Sequence, residues 1–321
     1  MKLGVLTVPL YGRNVEESFK YLSELGVQSV EIGTGGFPGN THLNPVEALD
    51  DPAKVTELQQ LLKKYNLTIS ALSCHGNPVH PNREIAEKDH NDFENTCRLA
   101  QKLGVDTVVT FSGCPGDHPG AKYPNWVTCA WPNDFGEILK YQWDEVLIPY
   151  WKKASEFAKQ HGVTKIALEM HPGFCVYNTA SMLKLRAAVG DSIGANFDPS
   201  HLFWQGISPT EAIKALKGAI FHFHAKDTRV DKFNTAINGV LDTSSYGSLV
   251  DRSWLFRTVG YGHNESEWRD IISTLRATGY DGAISIEHED AFMSVEEGLE
   301  KAISFLKPIL MYDSAANMWW V

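Results

Sequence analysis

Eight short apolar, β-branched runs recur along this chain, each followed by a longer stretch of helical period, and that alternation limits the folds open to it. The runs are Leu3–Val8, Ser29–Ile32, Thr68–Ser73, Thr107–Phe111, Lys165–Met170, Ile193–Phe197, Ile220–Ala225 and Ala283–Glu287. The amphipathic stretches are Val15–Leu25, Pro52–Tyr65, Arg83–Leu103, Asp144–His161, Thr179–Val189, Pro209–Leu216, Glu265–Thr278 and Val295–Leu306. Strand and helix in regular alternation describe a parallel sheet with helical crossovers. A doubly wound open sheet alternates the same way. The count of eight and the polar residues at the strand ends favour the closed α/β form, a (β/α)8 TIM barrel. Glycines in LGV, HGV and TGY suit the left-handed position after a last helical turn.

One barrel of about 250 residues with long loops uses all 321 residues. The expected division is a single-domain barrel over 1–310 and a tail over 311–321. Met318, Trp319 and Trp320 are costly to leave in water, so the tail is expected to pack on the barrel or on a neighbouring subunit of a homo-oligomer. Two connections are long, from Ser112 to about Gln142 after the fourth strand and from Lys226 to about Asn264 after the seventh. Both follow strands, so both belong to the C-terminal face, where barrel active sites are built.

The net charge of −10 argues against a nucleic-acid backbone as partner. Five scattered cysteines form no CxxC pair, so neither a disulfide framework nor a zinc knuckle is indicated. No apolar run reaches the length of a membrane span, and the N-terminus has no secretory h-region, which makes the cytoplasm the default location.

Four strand ends finish on metal-competent side chains. The fifth carries Glu169, the sixth Asp198 and His201, the seventh His222, His224 and Asp227, and the eighth Glu287. A carboxylate at the end of an apolar strand is costly unless paired or bound to a cation, and several at one mouth raise one another's pKa. Taken singly, each is as well explained as a salt-bridge partner, and one of His222 and His224 as a hydrogen-bonded core histidine. His263 and His288 read as loop or surface residues. The set on consecutive strands is what points to a metal. Carboxylates and imidazole without thiolate suit Mn²⁺ first, with Mg²⁺, Co²⁺ and Zn²⁺ also admitted. At the other strand ends, Glu31 in VEIGTGG and His75 with Asn77 in SCHGNP either bind sugar hydroxyls or cap turns. The glycine-rich GTGGFPG lacks the GxxxxGK[ST] pattern of a phosphate loop, so a phosphorylated substrate is not supported.

The segments LEMHPG, FDPSH, FHAKDTR and SIEHED, in a likeness running from KLGV to IEHED, resemble the sugar phosphate isomerase/epimerase superfamily. These are xylose isomerase-like barrels that include tagatose and psicose 3-epimerases, inosose dehydratase and endonuclease IV. The resemblance implies a metal held by Glu169, Asp198, His224 and Glu287, with Glu169 and Glu287 moving the proton. It implies substrate contacts from His201 and, as the nearest match, Arg229, with Asp227 beside them in the H-x-K-D segment. The expected activity is proton abstraction from a non-phosphorylated ketose or keto-sugar, giving isomerisation or epimerisation. Two departures qualify this. The epimerases carry a second Glu where this chain has Cys175, and His171 lies two residues after Glu169. His171 is placed to protonate a leaving group, which keeps open a lyase or dehydratase acting on a keto-sugar, a 3-keto-glycoside or an inosose. The extra ligands of endonuclease IV are missing. A non-catalytic sugar-binding subunit is the third reading.

Overall fold

The structure, a computed structural model, describes residues 1–313, 318 and 320. Its strands are β1 (Lys2–Leu6), β2 (Ser29–Gly33), β3 (Thr68–Ser73), β4 (Thr107–Phe111), β5 (Lys165–Glu169), β6 (Ile193–Phe197), β7 (Ile220–Ala225), β8 (Asp227–Val230), β9 (Trp254–Arg257) and β10 (Ala283–Ile286). Eight of them close a parallel barrel in the order β1-β10-β7-β6-β5-β4-β3-β2, while β8 and β9 form a separate antiparallel pair. The expected closed barrel is what forms.

The helices are α1 (Val15–Glu24), α2 (Pro45–Asp50), α3 (Pro52–Lys64), α4 (Arg83–Leu103), α5 (Asp134–Lys140), α6 (Ile148–Gln160), α7 (Thr179–Val189), α8 (Ser200–Phe203), α9 (Pro209–Ala215), α10 (Lys232–Asn238), α11 (Glu265–Ala277) and α12 (Val295–Leu306). Local chemistry sets their ends. Asn14 and Asn264 cap α1 and α11 with reciprocal bonds to Glu17 and Glu267. Gly104 ends α4 at φ 70°, a conformation that costs a β-carbon-bearing residue more than glycine.

Several boundaries differ from expectation. β1 stops at Leu6 because Pro9, which has no N–H, sits in a 3-10 turn over Val8–Leu10. The stretch expected to begin a helix at Asp144 is a π turn over Tyr141–Leu147 that runs into α6. Pro149 accounts for it: its missing N–H would leave the Glu145 carbonyl unpaired in a regular helix, and the wider turn instead bonds the Ile148 N–H to the Trp143 carbonyl. The two long connections are not structureless. The first contains α5, and the second contains α10 and the β8–β9 pair.

The main core lies between sheet and helices, where Phe19, Leu22, Phe93, Trp151 and Trp268 are fully buried against the outward faces of the strands. Within the barrel, Ala71, Val109, Ala167 and Phe221 form a small apolar plug. A β-carbon at Gly194 would lie 2.5 Å from the Phe221 ring, so glycine there admits the plug. Above it the interior turns polar, with Glu31, Ser73, Asn196, His222 and Ser285 all buried. The expected packing of the tail falls largely on residues 314–317, 319 and 321, outside those described; Met318 and Trp320 are exposed on the single chain. No helix among the described residues is long and apolar enough to cross a membrane.

Trp151 ties the helical layer to the site, because its indole N–H donates to the Ser112 carbonyl just past β4 at 2.8 Å. Trp151→Ala is expected to cost about 3–5 kcal/mol. Urea unfolding checks this, and a loss below about 1 kcal/mol would contradict the packing described.

Candidate metal centre

The site is built in two tiers on the inward faces of the strands. In the lower tier Glu31 is fully buried and accepts hydrogen bonds from Ser73 Oγ, from Ser285 Oγ at 2.8 Å, and from His224 Nε2 at 2.9 and 3.0 Å. Burial alone would raise its pKa. The neighbouring His224 and His222, with the hydrogen bonds, outweigh that and bring it down to about 2. An ionised carboxylate only accepts, so the proton of His224 lies on Nε2 and Nδ1 is directed to the upper tier.

Beside it, His222 lies within hydrogen-bond distance of Asn196 Oδ1 at 3.1 Å and Ser70 Oγ at 3.3 Å. Burial pushes its pKa down to about 4, so it is neutral. His222 is thus the hydrogen-bonded core histidine. Asn196 passes the contact upward by donating from Nδ2 to Glu169 Oε2 at 3.0 Å.

The upper tier brings Glu169, Asp198, His224 and Glu287 together, one ligand atom from each lying within 4.8 Å of all the others. His224 Nδ1 is 3.2 Å from Glu169 Oε2 and 3.0 Å from Glu287 Oε2. His224 Nδ1, Asp198 Oδ2 and Glu287 Oε2 are buried atoms without a hydrogen-bond partner. Each has an ionic neighbour instead, Lys226 Nζ beside Asp198 Oδ2 and Glu287 Oε2 and the two glutamates beside His224 Nδ1, and the four side chains together form a candidate cation site. Two other trios, Glu31 with His222 and His224, and Glu169 with His171 and His201, also come within ligand range. Glu31 is satisfied by hydroxyls, and His171 Nδ1 is 2.5 Å from the Pro172 carbonyl, so neither trio leaves the same opening.

The four ligands are not equivalent. Glu169 Oε1 accepts from His201 Nε2 at 3.0 Å, and Oε2 accepts from Asn196 and from His75 Nε2 at 3.1 Å. Three of about four lone-pair positions on a carboxylate are then occupied. Burial opposes ionisation of Glu169, but its histidine neighbours hold the pKa well below the usual range. Glu287 keeps a free oxygen, and its side chain is 15% exposed while those of the other three are at most 2%. Asp198 is raised by burial, against the pull of Lys226 and His201.

Lys226 completes the tier. Its buried ammonium lies 3.1 Å from Asp198 Oδ2, 2.8 Å from Glu287 Oε2 and 2.9 Å from Glu289 Oε2. Burial works against its charge, and the carboxylates more than restore it. Glu169, Asp198, Glu287 and Glu289 bring more negative charge than Lys226 returns, which suits a cation in the space between them. Glu169, Lys226, Glu287 and Glu289 border a chamber of about 150 Å³, with Leu6, Val8, Phe37 and Phe111 as its apolar side.

Of the sugar-binding candidates, His75 and His171 border this chamber, and His201 borders the adjoining pocket. Glu31 is corrected: its oxygens are taken inside the barrel, below the chamber, where no sugar reaches. Asp227 is corrected for a similar reason. It is fully buried and accepts from the backbone N–H groups of Thr228, Gly260, Gly262 and His263, from His263 Nδ1 and from the Trp268 indole. It organises the loop beneath α11. Arg229 is exposed on β8 and borders neither chamber nor pocket. Lys226 and Asn196 were missed, although period two along β7 and β6 puts Lys226 in line with His224 and Asn196 in line with Asp198.

Xylose isomerase-like TIM-barrel proteins share this architecture, and the model of that family matches residues 19–309. The chain belongs to the xylose isomerase-like TIM-barrel family. Solved structures of the same fold include a D-psicose 3-epimerase, with a TM-score of 0.63 at 12% identity over 95% of this chain and 97% of that one. The Bacillus subtilis protein YfiH is 40% identical over 309 residues, 96% of this chain and 98% of its own length. An inosose isomerase of Halalkalibacterium halodurans is 30% identical over 172 residues, covering 52% of this chain and 55% of that protein. Among solved structures, a zinc-binding IolI protein superposes with a TM-score of 0.67 at 20% identity, covering 98% of this chain and 100% of that one.

For this xylose isomerase-like barrel, the proton balance at His224 gives a test. Burial opposes charge on His224, but Glu31 and Glu287 raise its pKa well above the ordinary value, so a divalent ion at Nδ1 displaces a proton. Ion binding is therefore expected to weaken as pH falls. A saturating ion should raise the melting temperature by a few degrees. Calorimetric titration of the chelated protein with Mn²⁺, with thermal melts alongside, checks both. An undiminished response in His224→Ala would remove His224 from the ligand set.

Proposed function

We propose that this protein is a divalent-metal-dependent sugar isomerase or epimerase acting on a non-phosphorylated ketose or keto-sugar. The observation that carries this reading is the convergence of Asp198, His224 and Glu287 beside Glu169 at the barrel mouth, one ligand atom from each within 4.8 Å of the others. These four residues would hold the ion, with Mn²⁺ first and Mg²⁺, Co²⁺ or Zn²⁺ as alternatives; the zinc of the IolI relative supports the site's suitability for a divalent ion. When bound, such an ion supplies Lewis acidity to a carbonyl and its adjacent hydroxyl, acidifying the C–H between them.

The residues then divide the proton work. Glu287, with its free oxygen and access from the chamber, takes the proton. Glu169 is the other member of the pair, returning a proton drawn from His201 or His75, both of which hydrogen-bond it. The Lys226 ammonium stands beside Glu287 as a fixed cation where negative charge develops. His75, whose Nδ1 has no partner, and His201 orient sugar hydroxyls. Lys226 is the chamber's cation and is already engaged by three carboxylates, which supports a substrate without phosphate.

The second reading is elimination from the same enediolate, as in a lyase or dehydratase acting on a keto-glycoside or inosose. It is favoured by Cys175, a buried thiol where an epimerase-type second carboxylate was expected. His171 does not fit the leaving-group acid first assigned to it. Burial and His201 bring its pKa down to about 3, and with Nδ1 donating to the Pro172 carbonyl its free Nε2 is an acceptor. Elimination would draw its acid from His201 or Lys226 instead.

Glu287→Gln is expected to lower proton exchange by about 10²–10⁴-fold with the fold intact. Solvent deuterium incorporation into ketoses, inososes and 3-keto-glycosides, followed by NMR on the Mn²⁺-loaded protein, is the measurement. Wild-type exchange rates in that variant would sink the assignment.

A further inference from the structure

Past His171 and His201 the chamber adjoins a second cavity of about 320 Å³, more than twice its own volume. The β8–β9 pair and the loop between its strands supply much of the wall, and that wall is aromatic. Trp204 and Trp254 lie parallel, with centroids 4.6 Å apart and an interplanar angle of 4°. Tyr246 and Phe256 are stacked at 6.0 Å and 15°. His171 borders both spaces, and Phe256 lies on the cavity side of that junction. Its ring is 5.2 Å from that of His201, and the Lys226 ammonium lies 4.6 Å from its centroid. Buried Arg252 backs the wall, 4.1 Å from the Tyr246 ring and 4.8 Å from that of Trp254, and its guanidinium bonds the Ser244 and Trp254 carbonyls.

A packed core does not explain this arrangement. Leu241 and Tyr246 border the cavity and remain 65% and 56% exposed, an apolar surface of a kind that marks binding sites. The indole N–H groups of Trp126 and Trp204, both on the wall, have no acceptor. No lysine or arginine borders the cavity, so a phosphate or carboxylate meets no fixed cation in it. A second sugar ring would draw on Thr128, Thr243 and the Tyr246 hydroxyl, but tryptophan, tyrosine, phenylalanine, valine and leucine side chains supply a larger share of the wall. The carboxylate at the rim, Asp242, already accepts from the backbone N–H groups of Ser244 and Ser253. Flat, neutral and apolar-faced describes an aromatic ring.

We propose that the substrate is a glycoside whose keto-sugar ring occupies the chamber and whose planar aromatic aglycone occupies this pocket. The proposal rests on the metal-dependent keto-sugar chemistry above and names the substrate class of that site. Its central contacts are Trp204, Tyr246, Trp254 and Phe256.

The test uses the full-length Mn²⁺-loaded protein with phenyl β-D-glucoside, methyl β-D-glucoside and cellobiose. These analogues lack the keto group, so they report binding without reaction. Binding is read by calorimetry and by quenching of tryptophan fluorescence. The phenyl glucoside is expected to bind about tenfold tighter than the methyl glucoside. Tyr246→Ala and Leu241→Asp, both at exposed positions that the fold tolerates, should reduce that preference to near parity. Equal affinity of the two glucosides in the wild type overturns the proposal, as does absence of binding by either. Tighter binding of cellobiose overturns it by placing a second sugar in the pocket. Deuterium exchange into keto-sugars by the same preparation reads the metal chemistry separately. Exchange without phenyl preference removes the aglycone pocket alone, and phenyl preference without exchange removes the proposed chemistry while leaving the pocket.

Discussion

An ionised carboxylate at the centre of the barrel, Glu31, is the constraint on which the site depends. It has no access to water, so its charge is tolerable only because two serine hydroxyls and an imidazole N–H close on it. In return it fixes the tautomer and direction of His224. With Nε2 committed below, Nδ1 faces the space between Glu169 and Glu287. Carboxylates that orient a ligating histidine from behind tune its basicity as well as its position. The His222–Asn196–Glu169 chain does comparable work for a second ligand. A polar lower tier is expensive to bury, and its return is an upper tier whose geometry is set before any ion or substrate arrives.

That upper tier is organised by charge balance. Three carboxylates whose nearest atoms lie within 4.8 Å of one another, in a low-dielectric mouth, are costly to keep ionised on their own. Lys226 compensates for part of that charge and is itself kept charged by doing so, which leaves an excess of negative charge that suits a cation. The same arithmetic explains the inequality between the two glutamates. Donors crowd Glu169 until it is little more than an anchor, whereas Glu287 shares its free oxygen with the chamber. The division into anchor and proton acceptor follows from the neighbours, since the two side chains are identical.

How far the sequence reveals this depends on the range of the interaction. Strand periodicity is local, so the eight barrel strands could be read from alternation, and the LEMHPG, FDPSH, FHAKDTR and SIEHED segments single out four side chains that the fold does bring together. The surroundings of Glu31, Asp227 and Arg229 were not legible, because strand-end position does not tell which way a polar side chain is satisfied. Glu31 finds partners on β3, β7 and β10, and Asp227 finds them in the loop leading into α11, contacts 33 to 254 residues away in sequence. Lys226 was within reach of the same period-two argument that found His224. The β8–β9 pair was hidden for a different reason, since two strands of four residues are too short to establish a period.

The aromatic pocket shows why that last omission matters for function. Barrel strands hold the reacting groups rigidly, and the loop after β7 carries the surface that selects what the reacting groups meet. Here selection and reaction are physically joined. Phe256 belongs to β9, yet its ring touches both His201, which hydrogen-bonds Glu169, and the ammonium of Lys226, which pairs with Asp198 and Glu287. A cation over an aromatic face is stabilised more as water is excluded. A flat ring seated against Phe256 would displace water from the neighbourhood of Lys226 and strengthen the electrostatics of the whole upper tier. If the proposed pocket and metal site act together, that one side chain is where they would be coupled, and a short strand pair outside the barrel would then supply the preference.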